Sequence, residues 1–205
     1  MMIINSAISA IMQVILFSVI PFFWWLFTAR KQQSFLTWIG IKKPVIEKKG
    51  NYLVWFLLIN VFLFVTNYSI IYFFVDSSLL AFKRFAGLGF SGLIPALLYA
   101  IIQTGLSEEL FFRGFLLKRF AHTFGFRIGN IVQSLLFGSI HGLMLLSLSV
   151  IPFGVVVLLV MSTGLAGYLM GWIDEQKSNG SIITSWGIHS MGNLIVSFFA
   201  MFNLL

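Results

Sequence analysis

The sequence predicts an all-α, polytopic bundle of about six transmembrane spans plus an amphipathic boundary helix, and three observations carry that expectation. Of 205 residues, 59% are hydrophobic and 9% charged, against roughly 25% charged in an ordinary soluble domain. A mean hydropathy of +0.99 over the whole chain leaves no stretch for a separate aqueous domain. The apolar residues also fall into runs of about twenty, the length at which a helix crosses the hydrocarbon of a bilayer. Backbone groups in lipid need internal partners, and the runs lack the alternation of a barrel, so the spans are helices.

The first run, 3 to 29, has no basic residue before it and meets Arg30 and Lys31 after it. It is too long for a signal peptide and reads as a retained first span with a basic stop-transfer flank. The second run is 51 to 75. Between them, Arg30 to Gly50 holds Lys31, Lys42, Lys43, Lys48 and Lys49 against Glu47 alone, which makes this loop cytoplasmic. Alternation places the 107 to 127 connection, with Arg113, Lys118, Arg119 and Arg127, on the same side, together with the Asp174 to Gly180 turn. Of the 13 basic residues, only Lys83 and Arg84 then lie outside, in a connection that also holds Asp76. The +7 charge and pI near 9.9 therefore report topology, and no nucleic-acid partner is expected.

The third run is 88 to 106. Ser107 to Phe124 reads as a separate amphipathic helix at the cytoplasmic boundary, with Ser107 as cap, Glu108 and Glu109 at the positive end of its dipole, and Lys118 and Arg119 near the other end. Gly125 ends it, and His122 sits on its solvated part. Three further runs follow, 128 to 148, 150 to 173 and 181 to 203. Ser162, Gly164, Gly167, Gly171, Gly187, Ser190 and Gly192 allow close helix packing within the last two. The absence of cysteine excludes disulfides, thiolate metal sites and a cysteine nucleophile.

Polar or ionisable groups in apolar spans are costly unless they face inward and find partners, so each is a site candidate. Glu109 and Arg113 are four apart, in the orientation that favours an ion pair. Glu108 lies about 100° around the helix from Glu109 and needs another partner. In the fourth span, His141 shares a helix face with Phe137. In the sixth, His189 and Asn193 lie side by side. One glutamate, two histidines and one asparagine from three helices thus point to a small polar pocket inside the membrane, opening near the basic face.

Three motifs, E-E-x-x-x-R at Glu108 to Arg113 followed by Gly114, F-x-x-x-H at Phe137 to His141, and H-x-x-x-N at His189 to Asn193, stand in the order seen in one family. Over roughly residues 103 to 195, the chain resembles the CPBP intramembrane proteases. That group includes the Rce1-type CAAX prenyl proteases and bacterial bacteriocin-processing and immunity proteins. The resemblance implies two units, residues 1–87 with two N-terminal spans and residues 88–205 as the catalytic core. It further implies an endopeptidase that hydrolyses a peptide bond of a membrane-associated protein or peptide. Glu108 and His141 would activate water, His189 and Asn193 would donate to the oxyanion, Glu109 and Arg113 would brace the site, and Phe137 would line it.

Although the family carries a metalloprotease label, no cofactor is favoured here. A zinc ion would take Glu108, His141 and His189 as ligands with one open position. However, no H-E-x-x-H pair occurs, and zinc would leave Asn193 as the one side-chain oxyanion donor. The expected setting is a bacterial cytoplasmic membrane, crossed several times, with a peptide or protein substrate. Rhomboid-like serine chemistry is disfavoured by the absence of G-x-S-x-G. The rival reading is a non-catalytic scaffold, immunity protein or small transporter that uses the buried polar residues, although no repeat supports a transporter.

Overall fold

The structure is a computed structural model that describes residues 1–74, 80–148 and 152–204, so Asp76 lies outside the described residues. Among these residues there are seven helices and no strand. They are α1 (Met2–Thr28), α2 (Phe35–Ile39), α3 (Lys49–Phe74), α4 (Gly89–Phe124), α5 (Phe126–Leu148), α6 (Phe153–Lys177) and α7 (Ile183–Met201). A short 3₁₀ turn, Ala81–Phe85, precedes α4. Five helices, α1, α3, α4, α5 and α6, are long and apolar enough to cross a membrane. The expected sixth span, α7, is 19 residues long but less apolar, because it carries Thr184, Ser185, His189, Ser190, Asn193 and Ser197.

The separate boundary helix does not exist. The third apolar run and residues 107 to 124 form one 36-residue helix, α4. Ser107 is not a cap but an interior residue, buried, with its hydroxyl donating to the Gln103 carbonyl. The polar run that resembled a helix start is polar because it faces the bundle interior. Gly125, at φ +81°, does terminate the helix. α4 is π-helical over Leu98–Leu106 and Leu110–Leu117, with a single α-helical stretch, Ser107–Glu109, between. Widened turns of this kind re-aim side chains and are frequent at functional sites.

α5 and α6 pack through small residues. A Cβ on Gly138 would lie 2.4 Å from the Val160 carbonyl oxygen, and one on Gly142 would meet the Val160 side chain at the same distance. The close approach lets buried carboxamides of α5 reach the α6 backbone: Asn130 donates to the Tyr168 carbonyl at 2.9 Å and Gln133 to that of Gly167 at 3.0 Å. Such contacts hold membrane helices together where no hydrophobic driving force acts between them.

At the end of the bundle that carries the basic loops, α2 folds back beneath α4. Ser34 caps α2 and Gly40, at φ +95°, ends it. The Gly40 carbonyl accepts from the Ile182 N–H at 2.9 Å, and Lys118 donates to both Glu175 and the Gly180 carbonyl at 2.8 Å. Ala29, Trp38, Ile39, Leu110, Phe115 and Ile182 form one buried apolar layer there.

Candidate active site

The two adjacent glutamates of α4 have opposite surroundings. Glu109 is fully buried, and one oxygen, Oε1, accepts from Arg113 Nη1 at 3.0 Å and from His189 Nδ1 at 2.8 Å. The Arg113 guanidinium stacks over the Phe137 ring, 4.3 Å from its centroid. Gly167 makes room for this arrangement, since a Cβ there would lie 3.3 Å from Phe137 and 3.4 Å from Arg113. Glu108 instead faces a cavity. Its Oε2 lies 3.8 Å from His141 Nε2 and 3.8 Å from His189 Nε2, beyond direct hydrogen-bond reach.

Both imidazoles are oriented from behind. His141 Nδ1 lies 2.8 Å from the Phe137 carbonyl, which can only accept, so Nδ1 carries a proton and Nε2 is the nitrogen turned toward Glu108. His189 Nδ1 faces the Glu109 carboxylate in the same way. Phe137 lies between these groups, its ring 4.4 Å from that of His141 and 6.2 Å from that of His189. Asn193, one turn beyond His189, donates to Thr104 Oγ1 at 2.7 Å and keeps a second amide N–H.

Glu108, Phe137, His141, His189 and Asn193 all line one cavity of about 630 Å³. Glu109 and Arg113 stand behind it. The cavity wall is otherwise mainly apolar, with Phe64, Tyr68, Phe82, Tyr99 and Phe199 as its largest members. It does not run toward the basic loops, as the sequence suggested. None of its lining residues comes from 29–62, 109–136 or 171–187; beyond the glutamate it extends toward the Leu80–Phe82 segment. The apolar layer around Trp38 and Ile39 lies on the other side.

Several inward-facing groups escaped the sequence reading. Gln13 of α1 donates to Ser107 Oγ at 3.3 Å and accepts from Gln103 Nε2 at 3.2 Å, and both glutamines line the cavity. Gln103 also accepts from Arg84 at 3.1 Å, so Arg84 turns toward the bundle, its guanidinium 4.5 Å from the Tyr99 centroid. Asp174, read as part of a turn, is fully buried and caps α7 from α6 by accepting the Ser185 N–H at 3.0 Å. A lone carboxamide in the middle of α1 was the available signal for Gln13. Asp174 sits in an Asp-Glu-Gln-Lys stretch that reads as an exposed helix end. His122 is exposed.

Among the described residues, no group of three or more histidine, aspartate and glutamate side chains has the geometry to hold a metal ion. The Glu108, His141 and His189 set therefore does not fit a zinc ion as placed. Together these side chains form a polar centre that bears a carboxylate and two imidazoles, deep in a chain that crosses the membrane several times. No curated protein and no solved structure matches the chain. A family model described as type II CAAX prenyl endopeptidase Rce1-like does match, over residues 90–195, which is more than half of the chain and contains all three motifs. The chain thus belongs to the Rce1-like type II CAAX prenyl endopeptidases, a family of intramembrane peptidases.

Proposed function

We propose that this intramembrane endopeptidase hydrolyses a peptide bond of a membrane-associated protein or peptide through a water activated by Glu108 and His141. The observation that carries the reading is the placement of Glu108 Oε2, 3.8 Å from each of two Nε2 atoms. That span is too long for a hydrogen bond, and a water oxygen within about 2.8 Å of both ends bridges it. Glu108 takes a proton from this water while the His141 lone pair orients it. The hydroxide oxygen then bonds to the scissile carbonyl carbon, and the carbonyl electron pair moves to its oxygen.

The resulting oxyanion accepts from the free Asn193 amide N–H and from His189. In its imidazolium form His189 donates through both nitrogens, Nδ1–H to Glu109 and Nε2–H to the substrate. As the C–N bond breaks, the proton held by Glu108 passes to the departing amine. Glu109 and Arg113 act through His189 and Phe137 rather than on the substrate.

The test is substitution of Glu108, His141 and His189 singly by alanine in membrane-inserted, purified protein, scored by cleavage of a reporter peptide and by thermal unfolding. Three folded and inactive proteins support the reading; retained cleavage in all three overturns it. Chelators are expected to leave wild-type cleavage intact. Chelator-sensitive activity that zinc restores would overturn the metal-free chemistry.

A further inference from the structure

We propose that the carboxamides of Gln13 and Gln103 form the backbone-recognition site for the substrate, binding main-chain N–H and C=O groups of an extended peptide segment next to Glu108. The inference rests on the peptidase reading and adds to it the group that holds the substrate.

A peptide bond is attacked only when its chain is unwound, and an unwound chain inside a membrane carries backbone donors and acceptors that lipid cannot satisfy. Many peptide-binding proteins meet this need by adding the peptide as a strand to a sheet edge. Among the described residues of this chain there is no strand, so side chains that both donate and accept must take over. On the cavity wall, carboxamides do this best, and among the described residues there are three: Gln13, Gln103 and Asn193. Asn193 stands beside His189 at the reacting centre, which leaves the two glutamines for the segment beyond it.

Their hydrogen bonds leave capacity for a ligand. A carboxamide has two N–H donors and an oxygen with two lone pairs. Gln13 spends one donor on Ser107 and one lone pair on Gln103; Gln103 spends one donor on Gln13 and one lone pair on Arg84. Each keeps a donor and an acceptor, and both side chains are half-buried on the cavity wall. Gln103 lies five residues before Glu108 on α4, toward the end of the cavity that holds Leu80 to Phe82, so a peptide leaving the reacting centre in that direction passes the pair. Gln13 also gives α1 a task. That helix lies outside the family segment and is otherwise largely exposed along its length.

The competing explanation is that the glutamines only pin α1 to α4, as polar residues do in other membrane bundles. The two are separated by comparing amides with esters. Wild type, Gln13→Leu and Gln103→Leu, reconstituted in nanodiscs, are given a fluorogenic peptide and a series of depsipeptides. In each depsipeptide one N–H flanking the scissile bond is replaced by an ester oxygen. Each leucine variant is expected to lose about tenfold in kcat/KM through a raised KM. At one position the ester costs wild type about tenfold and costs a leucine variant nothing.

Esters that weaken wild type and both variants equally at every position would overturn the proposal, whatever the stability of the variants. Affinities of the same peptides for a Glu108→Gln protein give the amide-to-ester comparison without turnover. If wild type cleaves nothing, the peptidase reading falls. Recognition then stands only if the amide binds the Glu108→Gln protein about tenfold more tightly than the ester, and that preference disappears on adding Gln13→Leu.

Discussion

The two sides of α4 face regions that obey different packing rules. Behind Glu109 and Arg113, the α5 and α6 backbones approach each other until a single added Cβ would strike a carbonyl, at 2.4 Å for Gly138, and the polar groups there are locked against one another. In front of Glu108, residues of α3, α5, α6 and α7 wall a cavity of about 630 Å³. Glu109 belongs to the first region and Glu108 to the second, although they are neighbours in the chain. Glu109 holds an arginine and a histidine at hydrogen-bond distance, whereas Glu108 stands 3.8 Å from its nearest imidazole nitrogens. The contrast teaches how a carboxylate can be kept available for chemistry inside a membrane. The close-packed half fixes the imidazole and guanidinium, so the open half can leave one carboxylate without a committed partner.

The largest test of that contrast exchanges each carboxylate for its amide. Glu108→Gln is expected to lower cleavage by about 10²–10⁴-fold while thermal unfolding in detergent stays within about 1 kcal/mol of wild type. Glu109→Gln removes the anion paired with buried Arg113 and costs roughly 3–5 kcal/mol of stability, with cleavage lost along with it. Two variants that lose activity with equal and small stability changes would show that the neighbouring glutamates share one role.

A single added methyl group makes the same comparison in packing. Gly138→Ala places a Cβ against the Val160 carbonyl and the Gly164 backbone, neither of which can swing aside. An over-packing cost of about 1–3 kcal/mol is expected, read as a lower unfolding temperature. Gly192→Ala lines the cavity and meets nothing within 4 Å, so its unfolding is expected to match wild type. A silent Gly138→Ala would mean that α5 and α6 separate cheaply, and that the rigid half is not rigid.

Much of this division was legible in the sequence, and the parts that were not have a common cause. Run length and hydropathy suffice for the spanning helices, because lipid imposes one length on all of them. Spacing of four residues brought Glu109 to Arg113 and set Phe137 behind His141. Hydropathy records how apolar a residue is and not which way it faces. Ser107, Glu108 and Glu109 therefore resembled the start of a surface helix, although they lie mid-helix facing the interior. Asp174 looked like a solvated helix end for the same reason, yet it is sealed in and caps α7. The direction of the cavity depends on contacts among six helices and the Ala81–Phe85 turn, far apart in sequence, which no local pattern encodes. The polar string from Arg84 through Gln103 and Gln13 to Ser107 joins three separate segments and is invisible to any motif.

The smallest predicted effect lies at the basic end of the bundle. Lys118→Met removes a partly exposed ion pair with Glu175 and a hydrogen bond to the Gly180 carbonyl. It keeps the methylene stem that lies against Gly40. Pairs of this kind contribute about 1 kcal/mol or less, and what they do contribute weakens with salt. The layer beneath α4 has a stronger hold in Ile39, which is 0% exposed, and in the backbone bond from Ile182 to Gly40. Lys118→Met is therefore expected to cost about 1 kcal/mol or less at low salt, less at high salt, with cleavage unchanged. A loss of activity out of proportion to that cost would mean that the basic end communicates with the glutamate pair. The close-packed region would then extend past Arg113 to the surface, and the contrast between the two sides of α4 would have to be redrawn around Lys118.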